Sequence, residues 1–306
     1  MMGRPGRDVW FWTTAAVLAL FVLFLLYPLI NVLSASLSAA QDGRSGWQTL
    51  LGTEMYRSAV VNTLLLGVIV TVTSTLVGAP LAFFTARYSF KGKALIALLP
   101  MTTLIVPEVI AAQTWLMVFG NNGFVTRWLG EYGIQAPSFY GWFGLITVMT
   151  SIYFTYVYIG TIAAIRGFDR QLEEASQSLG VAPWRSLVQV MLPVVMPAVL
   201  ASAILVFTLV VGNFAVATIL GASVPLLSVL TYQSYVSEMG ANPVMQSTLA
   251  SVSIAIVALV LFLQRWVISH GKFEIVQGRG AIPIPLRGWK SVLISGAAAL
   301  VLLIST

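Results

Sequence analysis

The stretch VWFWTTAAVLALFVLFLLYPLINVL, residues 9–33, contains no charged side chain. A helix rising about 1.5 Å per residue needs about 20 apolar residues to cross the roughly 30 Å hydrocarbon core of a bilayer. This stretch supplies 25. It is longer than the roughly 7–15 residues of a signal-peptide core, so it reads as a retained helix. Charge-free runs recur at 58–86, 132–165, 186–237 and 239–264, each long enough to cross as well. They are apolar on every face, whereas strands of a transmembrane β-barrel alternate in polarity over about 10 residues. The fold class is therefore all-α, a polytopic helical membrane protein.

Composition agrees. Of the 306 residues 58% are hydrophobic and 8% charged, where a soluble domain carries about 25% charged residues, which excludes a soluble enzyme. The net charge is +6, but the basic residues sit in short clusters between apolar runs. Membrane topology accounts for them, and no nucleic-acid partner is expected. There is no cysteine and one histidine, His270. A disulfide framework, a thiolate nucleophile and Cys- or His-cluster metal sites are thus excluded, and no cofactor is expected.

Six spans are expected, the first at 9–33 and the others near 58–84, 95–119, 141–165, 197–220 and 247–268. A seventh apolar stretch, Ser291 to Thr306, has 16 residues and is short for a full crossing. With the N-terminus in the cytoplasm, thirteen basic residues fall inside and three, Arg44, Arg57 and Arg127, outside, as the positive-inside rule requires. The outer segments 34–57, 120–140 and 221–246 carry the Gly, Asn, Pro and Ser of loops. Trp266 and His270, after the sixth span, suit the cytoplasmic interface.

Polar residues in the spans are few: Asn62, Glu108, Gln113 and Asn213 besides Ser and Thr. Glu108 is the one ionisable group among them and follows Pro107. A carboxylate in hydrocarbon costs several kcal/mol unless it faces water or protein, so it is a candidate for a solute path. The other reading has Glu108 satisfying backbone groups freed by Pro107. Asn213, beside Gly212, forms with Glu108 a candidate polar patch along the path; its other reading is a hydrogen bond between helices with close packing at a small residue. This scarcity of buried charge argues against an ion-coupled secondary transporter, and one glutamate is too little for a membrane-embedded enzyme.

Between the fourth and fifth spans lies RGFDRQLEEASQSLGVAPWRSLVQVMLPVV, residues 166–195. It reads as two short helices. Asp169, Glu173 and Glu174 suit a helix N-terminus, and Leu172, Ala175, Ser176 and Leu179 form one stripe. Gly180 ends that helix, Pro183 opens the next, and Trp184, Leu187, Val188 and Met191 form a second stripe. Such a hairpin is a docking element. An interfacial helix on lipid would carry a Lys/Arg-rich polar face, whereas this one is flanked by acids, which favours a protein partner.

The run Glu174, Ala175, Ser176, then Gly180, then Val190, Met191, Leu192, Pro193 resembles the EAA loop, EAA-x3-G-x9-I-x-LP, of the inner-membrane permeases of binding-protein-dependent ABC importers. The spacing matches throughout; Ser176 replaces the second alanine and Val190 the isoleucine. The resemblance implies a six-helix type I permease core with residues 58–268 as its transmembrane domain. It further implies that 166–196 forms coupling helices seated on a cytoplasmic ATP-hydrolysing subunit, with Glu173, Glu174, Ala175, Ser176, Gly180, Leu192 and Pro193 as the coupling residues. Other implied partners are an external solute-binding protein, a second permease unit and the lipid bilayer. The chain has no phosphate-binding loop; Lys91-Gly92-Lys93-Ala94 lacks both the upstream glycine and the Ser/Thr for magnesium. It is therefore not expected to be an enzyme itself.

A second resemblance is carried by GNFAVATILGASVPLLSVLTYQSY, 212–235, which is similar to iron(III) permeases and their spermidine/putrescine, thiamine and aminoethylphosphonate relatives. It implies a small solute, with iron(III) favoured. Such chains often fuse two permease halves, so residues 1–57 read as an N-terminal tip, first helix and outer loop, 269–290 as a cytoplasmic linker, and 291–306 as the start of a second half or an ordinary seventh helix. The rival function is a channel or secondary carrier with no ATPase partner, for which the docking hairpin has no use.

Overall fold

The computed structural model describes residues 5–38, 43–236, 242–270, 284–285 and 296. Fourteen helices occur among them. The first span is α1 (Pro5–Phe21) and α2 (Tyr27–Ser36), joined by a π-turn at Val22–Leu26. The second is α4 (Glu54–Arg87), preceded by the short α3 (Gly46–Gly52). Next come α5 (Lys93–Thr102), α6 (Glu108–Phe119) and α7 (Phe124–Glu131), then α8 (Trp142–Gly167), the fourth span. The hairpin consists of α9 (Arg170–Ser178) and α10 (Pro183–Ser186), and a π-turn at Leu187–Met191 leads into α11 (Leu192–Gly212). The chain continues through α12 (Ala215–Leu220) and α13 (Leu227–Val236) to α14 (Pro243–His270).

Both π-turns end two residues before a proline, Pro28 and Pro193. A proline has no N–H to give the carbonyl four residues back, and its ring crowds that carbonyl. Widening the preceding turn removes the clash without ending the helix.

Three expectations need correction. The span at 95–119 is not one helix: Pro100 and Pro107 bracket a break, and α5 and α6 are separated by Thr103–Pro107. The second helix of the hairpin is not a separate short helix, since it runs through the π-turn into α11. The span expected at 197–220 thus begins earlier and breaks at Asn213. Finally, each supposed loop contains a helix. The α3 helix is fixed by a capping box in which Ser45 Oγ accepts from Gln48 N and Gln48 Oε1 accepts from Ser45 N. The apolar stretch 291–306 lies outside the described residues apart from Gly296.

The bundle is organised around α8. Its most apolar window has a mean hydropathy of 1.5, the lowest of the five long spans, yet is the most buried, at 67%. The first span reaches 2.6 and is 0% buried. Lipid accepts apolar surface as readily as protein does, so membrane helices associate through close packing and interhelical hydrogen bonds rather than through hydrophobicity. In keeping with this, α4 and α11 both lie against α8. Gly78 lets α4 approach the α8 backbone, because an added Cβ would collide with the Phe154 carbonyl oxygen and stand 3.0 Å from Tyr158 N. Hydroxyls join the helices: Thr73 to Thr150 at 2.6 Å, Thr103 to Thr155 at 2.7 Å, and Thr155 Oγ1 donating to the Pro100 carbonyl at 2.9 Å.

Two apolar clusters flank the centre of α8. One joins Leu66 and Val70 of α4 to Leu145, Met149 and Tyr153 of α8, Val206 and Val210 of α11, and Leu220 of α12. The other, nearer the hairpin, joins Leu81 and Ala82 to Phe154, Tyr158 and Ile162, with Met191 and Val195.

Candidate functional site: a docking hairpin and a mid-span polar cluster

The hairpin is built from local chemistry. Asp169 caps α9 by accepting from Gln171 N at 2.9 Å. The far end closes in a Schellman motif: Val181 N donates to Ser176 O at 3.2 Å and Gly180 N to Gln177 O at 2.9 Å. That geometry puts Gly180 at φ +85°, where a Cβ costs about 1–2 kcal/mol. G180A is therefore expected to lower stability by about 1 kcal/mol and to raise the rate of proteolytic nicking at 178–184, which limited proteolysis of the purified protein would measure.

The two stripes split between inside and outside. Leu172 and Leu187 pack on the hairpin-side cluster and Met191 is buried within it, while Ser176 Oγ meets Ser186 Oγ at 2.5 Å and locks α9 to α10. Leu179, Trp184 and Val188 point away from the chain, 86%, 63% and 51% exposed, and Ala175, Leu192 and Pro193 are exposed as well. Arg185 lies over the Trp184 ring, 5.3 Å from its centroid.

The two acids also part. Glu174 is exposed and pairs with Arg170 one turn back at 3.2 Å. Glu173 is buried, with its carboxylate gripped by both terminal nitrogens of Arg87, at 2.9 and 2.5 Å. Gln177 Nε2 adds a third donor to Glu173 at 3.2 Å. Glu173 thus faces the bundle, and of the two acids only Glu174 is available to a partner. Arg87 escaped the sequence reading because topology already accounted for a basic residue at that position.

The second constellation lies where the third and fifth spans break. Asn213 Nδ2 donates to Glu108 Oε2 at 2.5 Å and approaches Tyr153 Oη at 2.7 Å, and Tyr153 Oη donates to Glu108 Oε1 at 2.8 Å. Asn213 Oδ1 accepts from Val216 N at 3.0 Å and Ala217 N at 3.3 Å, which caps α12, and Ser228 Oγ donates to the Asn213 carbonyl at 2.7 Å. Glu108 and Asn213, paired in the sequence reading as a polar patch, are bonded to each other. Tyr153 joins them from the middle of an apolar run, with no local signal to mark it. Beside the break, Thr102, Thr103, Thr114, Trp115, Ser151 and Ile152 help line a cavity of roughly 100 Å³. Asn62 lies elsewhere and donates to the Pro225 carbonyl at 3.1 Å.

Together, five apolar helices long enough to cross a membrane, a polar cluster at the broken spans and a capped hairpin define a multi-pass membrane protein. Residues 78–270 match the binding-protein-dependent transport system inner membrane component family, and the chain belongs to that family. It is 28% identical to the sulfate transport system permease protein CysT of Escherichia coli (strain K12), over 84% of this chain and 91% of that one. To the putrescine transport system permease protein PotI of the same strain it is 25% identical, over 84% of this chain and 90% of that one. A bacterial alginate ABC transporter, solved in complex with an alginate pentasaccharide-bound periplasmic protein, superposes with a TM-score of 0.71 at 17% identity, over 88% of this chain and 97% of that one. The fold is that of a type I ABC permease, and the protein is the inner-membrane permease component of a binding-protein-dependent transport system.

Proposed function

We propose that the protein forms part of the translocation path of an importer whose energy comes from a separate cytoplasmic ATPase seated on the hairpin. The observation that carries this reading is the hairpin itself, which is capped, hinged at Gly180 and internally bonded, yet turns Leu179 and Trp184 outward. Apolar side chains held rigidly in solvent are costly unless a partner covers them, and an ordered, low-entropy surface favours tight docking. The coupling residues are then Glu174, Ala175, Ser176, Gly180, Leu192 and Pro193, with Glu173 acting from inside. ATP hydrolysis belongs to the partner.

With the N-terminus in the cytoplasm, the hairpin and most basic residues lie inside. A solute-binding protein meets the outer segments around 120–140 and 221–246. The solute passes between this chain and a second permease unit, by way of Glu108 and Asn213, as the spans rock between two states that ATP stabilises unequally. The domain division is that given above, with 58–268 as the translocating unit. Iron(III) remains the solute favoured by the 212–235 resemblance. The relatives named above are sulfate and putrescine permeases, and they support a small solute without supporting iron.

The test is purification of the tagged full-length chain from its own membranes in mild detergent, with mass spectrometry of what accompanies it. An ATP-binding-cassette subunit is expected to accompany the wild type and to be lost from L179D and W184D, both of which still insert. No ATPase with the wild type after crosslinking, or undiminished ATPase with both variants, would overturn the reading.

A further inference from the structure

Beside the apolar cluster that they share, the hairpin and the second span are joined by the Arg87–Glu173 ion pair, in which the reading above gives Glu173 a role and Arg87 none. The chain itself joins α9 directly to α8 and, through α10, to α11. It offers no such connection to α4, whose end at Arg87 lies 86 residues away in sequence from Glu173. The Arg87 fork bridges that gap with two N–H groups to two carboxylate oxygens.

Several neighbours pack against the pair. The Arg87 side chain is 15% exposed and that of Glu173 4%. Gln177 holds Glu173 from its own helix, Met191 Sδ lies 3.8 Å from one terminal nitrogen of Arg87, and the guanidinium sits 5.8 Å from the Phe83 ring centroid. Met191 belongs to the π-turn that leads from the hairpin into α11. A single guanidinium therefore touches the end of α4, the docking helix α9 and the entry to α11.

We propose that Arg87 is a positioning residue that transmits displacement of the docking hairpin to the second span, so that α4 moves with α8 and α11 as one body. This rests on the importer reading above. A planar fork held at both oxygens resists rotation as well as separation, which an ammonium on a flexible stem does not. Fold stability alone does not require this device, because a well-packed apolar pair can replace a buried ion pair at no loss of stability.

The absence of cysteine from the chain makes the test direct. Val106, 44% exposed at the break of the third span, is replaced by cysteine, and the complex with its ATPase is placed in proteoliposomes. Labelling by a membrane-impermeant methanethiosulfonate ammonium reagent is followed with and without MgATP and vanadate. In the otherwise wild-type chain the labelling rate is expected to change by about tenfold on trapping. In R87K and in R87Q the ATPase stays bound and hydrolyses ATP, but the change falls below about twofold.

An undiminished response in either variant overturns the proposal, as does a wild-type complex that binds ATPase but shows no response. Loss of the ATPase from both variants makes the pair a folding element and overturns it too. Absence of the ATPase from the wild type is a different failure, that of the importer reading.

Discussion

Replacing Gly78 by leucine is expected to cost the protein most of its folded yield. The added side chain starts with a Cβ that collides with the Phe154 carbonyl oxygen and lies 3.0 Å from Tyr158 N and Val157 Cβ. Two of these three are backbone atoms, so no rotamer change relieves the contact. The helices α4 and α8 must separate, which loosens Leu81, Ala82, Phe154 and Tyr158 together and lengthens the Thr73–Thr150 and Thr85–Tyr158 contacts. Overpacking of this kind costs about 1–3 kcal/mol, and more where backbone must move. A marginally stable protein then loses at least about fivefold in the ratio of folded to unfolded chains. Size-exclusion of the detergent-solubilised variant against temperature reads this directly, with G78A as the milder comparison. A G78L protein that elutes and melts like the wild type would show that the two helices are not held by this crossing.

The second large effect is expected at Asn213. Its side-chain NH2 serves Glu108 and Tyr153, and its side-chain Oδ1 caps α12. N213L removes both functions: loss of the cap costs about 1 kcal/mol, and removal of a donor from the Glu108 carboxylate about 1.5–3 kcal/mol. The sum, roughly 2–4 kcal/mol, would appear as a lowered unfolding midpoint in tryptophan fluorescence. N213D separates the two contributions. It keeps an acceptor for Val216 and Ala217 but faces Glu108 with a second carboxylate, and like charges at hydrogen-bond distance repel strongly where water is scarce. N213D is therefore expected to destabilise more than N213L, and the reverse order would mean that capping α12 matters more than Glu108.

How far the sequence reaches can be seen at these same residues. Charge-free runs locate the spans because crossing a bilayer demands length and apolarity, and both are local properties. The hairpin is legible for a related reason, since capping, a left-handed glycine and helical stripes are written within about twenty neighbouring positions. Gly180 illustrates it: the turn needs φ +85°, and glycine is the residue that adopts it freely. What is not local does not show. Glu108 and Asn213 stand out as a polar patch, but their direct bond depends on two helices breaking at one depth, and Tyr153 becomes visible only when they meet. Arg87 looks like any basic residue at the end of a span until its partner, 86 positions on, is placed beside it. Hydropathy fails in a similar way, because it measures affinity for lipid, and lipid and protein neighbours accept the same side chains.

The low hydropathy of α8 bears on how the protein is made. The helix at the centre of the bundle carries Ser, Thr and Tyr through its middle and is the least suited of the long spans to enter lipid by itself. By the time it leaves the ribosome, α4, α5 and α6 have already been synthesised. The small residue Gly78 and the Pro100 carbonyl, which accepts from Thr103 as well as from Thr155 of α8, belong to those earlier segments. In an insertion assay α8 is thus expected to enter the membrane more completely when α4 to α6 precede it than when it is offered alone.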